Sequence, residues 1–295
     1  MESKPLVSIG IPSYNCEDKI KNLLNFFLKQ SYQNIEIIIS DNFSTDKTSE
    51  IIKKEYGNNN KIKLYNQISN TGATKNFNFV LEKSIGKYFM WASYDDEWNV
   101  DYIKNGVEVL EKNEDCITVT GITKIYDKKN KLRIKYSEFY ELNGSKKDRL
   151  KNFLRYNYSD HLIYGIHRLR IIKNIKLKTK FFSPEIYFLF NILCQGKIIG
   201  SKLLEFNKYE EFNYSKKQFK YIKGSNKKRQ AQHYKLKENF YTRHGMMLRI
   251  IIKIILNFKV LTSLSLILQI ILFKNPILRL IKIYPQNSKN TIEFN

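Results

Sequence analysis

Apolar positions along the first 125 residues switch repeatedly between two rhythms. Residues 6–11, 35–40 and 88–93 are short apolar runs, the pattern of strands buried on both faces. Residues 61–66 form a similar but more polar run, and residues 116–125 a longer one. Between them, apolar residues recur at helical spacing, as at Ile20, Leu23, Leu24, Phe27 and Leu28 in residues 17–29. Helices are predicted over residues 17–29, 46–56, 74–84 and 101–112. Ser44 or Asp46 stands where the second would be capped, and Gly86 follows the third where a stop belongs. Strand and helix alternating in this way predict an α/β layer with a mostly parallel sheet.

Beyond residue 133 the rhythm is weaker. Helices are predicted over residues 146–156 and 184–195, and a strand over residues 197–206. Residues 226–244 form a polar, strongly basic helix candidate. Residues 246–273 are heavily apolar, punctuated by Arg249, Lys253, Asn257 and Lys259. No internal repeat is visible.

Parallel sheets bind ligands beyond the carboxyl ends of their strands. Pro12-Ser13-Tyr14-Asn15 follows the first strand, Asp41-Asn42-Phe43-Ser44 the second, and Tyr94-Asp95-Asp96-Glu97 the fourth. Polar and acidic residues gather at all three ends, although turns and caps account for some of them. Adjacent carboxylates such as Asp95 and Asp96 repel each other unless a cation offsets them. Hard cations such as Mg²⁺ and Mn²⁺ suit them, with substrate phosphates completing the shell. A helix cap is the structural alternative for Asp96. Asp41 alone is either a turn residue or an acceptor for a nucleotide.

Four segments, VSIGIPSYN, EIIISDNFSTDKT, NTGATKNFN and GKYFMWASYDDEW, stand in an order and spacing that resembles the family 2 glycosyltransferases of GT-A fold. The resemblance covers residues 6–101 closely and extends more loosely to about residue 212. It implies a Rossmann-like sheet flanked by helices, binding a nucleotide-diphospho-sugar. It implies donor contacts from Pro12, Ser13 and Tyr14, from Asp41 at the base, and from Asn70, Gly72 and Lys75 near the ribose. It also implies contacts from Tyr94 and Asp95, with Mn²⁺ or Mg²⁺ held on the diphosphate by Asp95 with Asp96 in support. The family's Asp-x-Asp falls on Ser93, Tyr94 and Asp95, so its first acid is replaced by serine. The inverting members' base falls on Glu185, in a helix that begins with Pro184 and runs to Gly196-Lys197. Trp98 could stack on a sugar face. His161, beside the run LIYGI, could contact phosphate or acceptor, as could His167 on its other side. A packed core histidine is the structural alternative.

Residues 1–225 are expected to form the GT-A domain, with 1–125 its nucleotide-sugar half and 126–225 its acceptor half. Residues 226–295 are expected to be a basic, apolar helical extension. The formal net charge of +23, from 51 Lys and Arg against 28 Asp and Glu, favours a polyanionic partner or reflects a lysine-rich composition. A basic amphipathic extension suits an anionic membrane surface, and could equally pair two chains as a homodimer. Nucleic acid is disfavoured, because no recognition motif accompanies the charge. Three widely spaced cysteines, Cys16, Cys116 and Cys194, and no leader-like start favour a cytoplasmic setting. No run reaches the length of a spanning helix. The expected activity is transfer from a UDP-sugar to a glycan or lipid-linked hydroxyl in bacterial surface polysaccharide or glycolipid synthesis. A degenerate, non-catalytic relative is the alternative.

Overall fold

The computed structural model describes residues 4–127, 132–136, 142–156, 160–178 and 184–210. The helices read over residues 226–244 and 246–273 lie outside them. The first half follows the predicted alternation: β1 (Val7–Ser13), α1 (Glu17–Leu28), β2 (Ile35–Asp41), α2 (Thr48–Tyr56), β3 (Ile62–Asn66), α3 (Ala73–Lys83) and β4 (Tyr88–Trp91). Next come a two-residue strand β5 (Glu97–Trp98), α4 (Tyr102–Lys112), β6 (Cys116–Asp127), β7 (Leu132–Tyr136) and α5 (Lys146–Tyr156). A 3₁₀ turn at Asp160–Tyr164 leads into β8 (Ile166–Arg168), α6 (Leu169–Ile172), α7 (Pro184–Gln195) and β9 (Lys197–Glu210).

All nine strands join one sheet in the order β3-β2-β1-β4-β8-β6-β9-β5, with β7 paired to β6. The β3-β2-β1-β4 half is parallel throughout, and β6 and β9 are parallel too. Strand β8 enters antiparallel between β4 and β6. The pairing of β4 with β1 ends at Gly10. Pro12 therefore sits where β1 has only β2 beside it, which suits a residue with no N–H to donate.

Helices cover both faces, and the strand alternation shows it. In β4, Tyr88 and Met90 face a core shared with α1, α2 and α4. Phe89 and Trp91 face a second core built with α3, α5, α6 and α7. Each fully buried Ile, Leu or Phe contributes roughly 1.5–3 kcal/mol, so the apolar runs of β1, β2 and β4 fix this layering. Gly10 lets the layers close: a Cβ there would lie 2.8 Å from Phe89 and Val80.

The buried carboxylate of the sheet is paired on several sides. Glu36 is 5% exposed and accepts hydrogen bonds from the Ser8 hydroxyl at 2.6 Å, the Ile85 N–H at 2.8 Å and Lys63 at 3.0 Å. Burial alone would raise its carboxyl pKa, but these donors outweigh burial and hold it below the usual value.

His167 resolves the choice posed for it by the sequence: it is fully buried. Its Nε2 donates to the Ile163 carbonyl at 2.8 Å, and its Nδ1 accepts from Thr118 Oγ1 at 2.8 Å. Burial pushes its pKa down to about 4, despite an opposing contribution from the Ile163 carbonyl. The unfolded chain would take up this proton near pH 6.5, whereas the folded chain refuses it down to about 4. Stability from the neutral ring is thus complete above pH 6.5 and is lost as pH falls towards 4, by about 3 kcal/mol. Urea unfolding at pH 7, 5.5 and 4.5 should show that decline. A midpoint unchanged between pH 7 and 5 would contradict it.

Candidate functional site

At the carboxyl end of the parallel half lies a pocket of about 260 Å³. It is lined by Pro12, Ser13, Tyr14, Asn42, Asn70, Ala73, Asn76, Phe77, Ser93 and Tyr94. None of these carries a charge. The wall comes from the end of β1, from the loops after β1, β2, β3 and β4, and from the first turns of α3.

Side-chain bridges hold those loops in place. The Asn42 N–H donates to the Ser13 carbonyl at 2.9 Å, continuing the β1–β2 pairing by one step. The Asn15 N–H donates to Ser44 Oγ at 2.9 Å, and the Thr45 N–H to Asn15 Oδ1 at 2.9 Å. Asn42 Nδ2 donates to Asn70 Oδ1 at 3.0 Å, while Asn42 Oδ1 accepts the Thr71 N–H at 2.9 Å. Gly72 begins α3 at φ +83° and ψ 158°, a region essentially reserved for glycine, and its N–H donates to Asn70 Oδ1 at 3.0 Å. Phe43 also has positive φ, +66°, and its ring is 53% exposed. A bulky residue held in that conformation costs about 1–2 kcal/mol, which the surrounding bridges sustain.

Asp46, a cap expected for α2, serves the starts of two helices with its carboxylate. Oδ1 accepts the Thr48 N–H at 3.0 Å and Oδ2 the Glu17 N–H at 3.1 Å, while Glu17 accepts the Lys47 N–H at 2.7 Å. The other cap candidate, Ser44, belongs to the loop instead. It donates from Oγ to Asp41 Oδ1, and its N–H reaches Oδ2 at 3.3 Å.

Of the residues expected at the donor, the structure brings Pro12, Ser13, Tyr14, Asn70 and Tyr94 together at the pocket. Asp41 is 3% exposed and outside the lining, with both oxygens engaged by Ser44. It stiffens the loop, and its neighbour Asn42 supplies the wall. Gly72 and Lys75 are exposed and also lie outside the lining. Asn42, Ala73, Asn76, Phe77 and Ser93 were not among the expected contacts. The spacing of Ala73, Asn76 and Phe77 was the available signal, since i, i+3 and i+4 share a helix face.

The two acids of the fourth loop part ways. Asp95 is half-buried beside Tyr94, and its Oδ1 accepts from the hydroxyl of Ser93, the residue in the place of the family's first acid. Asp96 is 5% exposed, and its Oδ1 accepts the Tyr209 N–H of β9 at 3.3 Å. Asp95 is therefore the carboxylate with surface access. No cluster of three or more His, Cys, Asp or Glu among the described residues could hold a metal unaided. The donor set fits a cation carried by one carboxylate and substrate phosphates.

Two expected acceptor contacts are corrected by burial. Trp98 is 4% exposed, with its ring packed 5.2 Å from Phe27 and 5.3 Å from Phe206, centroid to centroid. No open face remains for a sugar. His161 is 2% exposed, inside the 3₁₀ turn. Trp91 is core, as expected, and its Nε1 donates to the Phe77 carbonyl at 3.0 Å. Glu185 stands half-buried in the first turn of α7, outside the pocket lining. One turn on, Phe188 packs edge-on against Trp91 at 5.2 Å and 73°.

The model of the family described as Glycosyl transferase family 2 matches residues 8–170. The chain belongs to glycosyltransferase family 2. Among curated relatives of this family 2 chain, TuaG of Bacillus subtilis (strain 168), named for teichuronic acid biosynthesis, is 33% identical over 118 residues. That match covers 40% of the chain and 47% of the relative. An uncharacterised glycosyltransferase of Rickettsia conorii is 37% identical over 131 residues, or 43% of the chain and 21% of the relative. The chain thus aligns with less than half the length of each. Among solved structures, Staphylococcus aureus TarS 1–349 with UDP-GlcNAc shares the fold at a TM-score of 0.57 and 19% identity. It covers 70% of the chain and 59% of its own. A Pyrobaculum calidifontis mannosyltransferase with GDP-Man and Mn²⁺ has a TM-score of 0.53 at 14% identity, covering 75% and 61%. These likenesses bear out the GT-A fold.

Proposed function

We propose that this chain transfers a sugar from a nucleotide-diphospho-sugar, a UDP-sugar, to a hydroxyl of a glycan or lipid-linked acceptor, with inversion at the anomeric carbon. The observation that carries the reading is the uncharged pocket at the carboxyl ends of β1 and β2, with Asp95 next to its Tyr94 wall. An uncharged, partly aromatic pocket suits a base and ribose, and a neighbouring carboxylate suits the cation that accompanies a diphosphate. The nucleotide-sugars named with TarS and with the Pyrobaculum enzyme agree with that division.

In this reading Asp95 holds Mn²⁺ or Mg²⁺ against the diphosphate, and Asp96 braces the loop through β9. The cation, when bound, neutralises charge on the leaving diphosphate. Glu185 takes the proton of the acceptor hydroxyl as its oxygen bonds to the anomeric carbon and the nucleoside diphosphate departs. A single displacement of this kind inverts the centre. The assignment to surface polysaccharide or glycolipid synthesis rests on the naming of TuaG. Peripheral attachment to the inner face of the cytoplasmic membrane rests on the basic, apolar pattern of residues 246–273. No helix among the described residues is long and apolar enough to cross a membrane.

Titration calorimetry with UDP, GDP and dTDP, each with Mn²⁺, Mg²⁺ or chelator, tests the donor site. One nucleotide should bind, and at least tenfold more weakly once the metal is chelated. If none binds under any condition, a non-catalytic relative becomes the better account.

A further inference from the structure

The carboxyl ends of β6 and β9 carry an aromatic pair that the donor site does not use. Strand β8 is antiparallel to both β4 and β6, so β6 and β9 run the same way as β1 and β4. They therefore end at the edge of the sheet where the pocket lies. Strand β8 pairs with β6 only at Thr118 and Val119, whereas β6 and β9 stay paired on to Asp127 and Glu210. Their last residues thus stand beside the donor loops, and the Tyr209 N–H bond to Asp96 ties them to the acidic one.

Tyr126 and Tyr209 are opposite each other in that arm, with their rings stacked at 5.4 Å and 23°. Both are half-buried. Tyr126 takes one face of Tyr209. On the other side β5 stops pairing at Glu97 and Asn207, short of Tyr209, so no strand residue stands opposite it there. The Tyr209 hydroxyl donates to Oε2 of the exposed Glu97 at 2.9 Å. Phe206 enters the core shared with α1 and α4, so strand alternation puts Tyr209 on the opposite face, where α7 packs. Glu185 begins α7 at the same edge: Phe188, one turn on, lies against Trp91, the last residue of β4.

Cross-strand packing accounts for two stacked tyrosines. It does not call for their place beside the acidic loop, on the face of Glu185, with an exposed carboxylate at the hydroxyl. A pyranose has a face of C–H groups and a rim of hydroxyls. An aromatic ring suits the first and a carboxylate the second. We propose that Tyr209, backed by Tyr126, holds a sugar ring of the acceptor glycan, and that Glu97 accepts its hydroxyls. This rests on the donor and base assignments above.

The test is saturation-transfer NMR on the full chain with UDP and Mg²⁺. The probes are the methyl glycosides of glucose, galactose, mannose and N-acetylglucosamine. At least one should bind, with saturation strongest on the C–H groups of one ring face. Its affinity should fall by about fivefold or more in Tyr209→Leu and in Glu97→Ala, and stay within about twofold in Tyr209→Phe, which keeps the ring. Calorimetry on the same preparations should show UDP binding unchanged. Glu97 is exposed, so Glu97→Ala decides the matter should Tyr209→Leu not fold. A chain that binds UDP but none of the glycosides overturns this inference alone, as does full affinity in either variant. If Tyr209→Leu loses UDP-glucose but not UDP, the ring serves the donor sugar and the acceptor assignment falls. Failure of UDP itself to bind sinks the donor-site reading and this inference together.

Discussion

Glu185→Gln is expected to lower sugar transfer by about 10²–10⁴-fold, the usual worth of a positioned general base, while donor affinity stays within about twofold. Glutamine keeps the shape of the side chain and its half-buried place in the first turn of α7, but cannot take a proton. The helix itself should not move. Phe188, Leu189, Ile192 and Leu193 are fully buried and anchor α7 independently of residue 185. Release of nucleotide from the donor, alongside calorimetry on the same preparation, separates the two effects. Turnover near the unsubstituted rate would move the base elsewhere.

The second large effect is expected from Asp95→Asn. With a metal present, nucleotide binding should weaken by about 10²-fold, roughly 2.7 kcal/mol, because the cation loses the accessible carboxylate of the Asp95-Asp96 pair. With chelator the two proteins should bind alike. Asparagine can still accept the Ser93 hydroxyl, so the loop keeps its shape. Metal-dependent affinity equal to that of the unsubstituted chain would sink the assignment of Asp95 to the cation.

Much of the fold was legible because the parallel half is written in apolar runs long enough to be buried on both faces. Elements α5 and α7 fall on the predicted bounds, and β1, β2 and β4 lie within two residues of theirs. Strands β5, β7 and β8 were not legible. They span two to five residues and are fixed by pairing with β9, β6 and β4, which no local pattern encodes. The site divides in the same way. Loops named by their place after a strand did gather at the pocket. Asp41 and Asp96 follow the same strands but turn inward, to Ser44 and to the Tyr209 amide, because place after a strand does not say which way a side chain turns. Residue type, which suggests Trp98 and His161, says no more. Trp98, two residues past the acidic pair, is drawn into the core by Phe27 and Phe206. Asn76 shows the converse: an asparagine inside a helix looks unremarkable until its two carbonyl partners, those of Ser13 and Ser40, are known.

Strand β9 gives the family match a physical edge that differs from its alignment edge. The match ends at residue 170, yet residues 197–210 sit between β6 and β5 in the middle of the sheet's second half. Phe206 covers Trp98, and the Tyr209 amide holds Asp96. A fragment cut where recognisable similarity stops would carry every donor motif and still lack the strand that closes the acidic loop. It would expose the long edge of β6, with Trp98 uncovered beside it, and such an edge invites other chains to pair. The smallest heritable unit of this fold is therefore longer than the stretch by which its ancestry is detected.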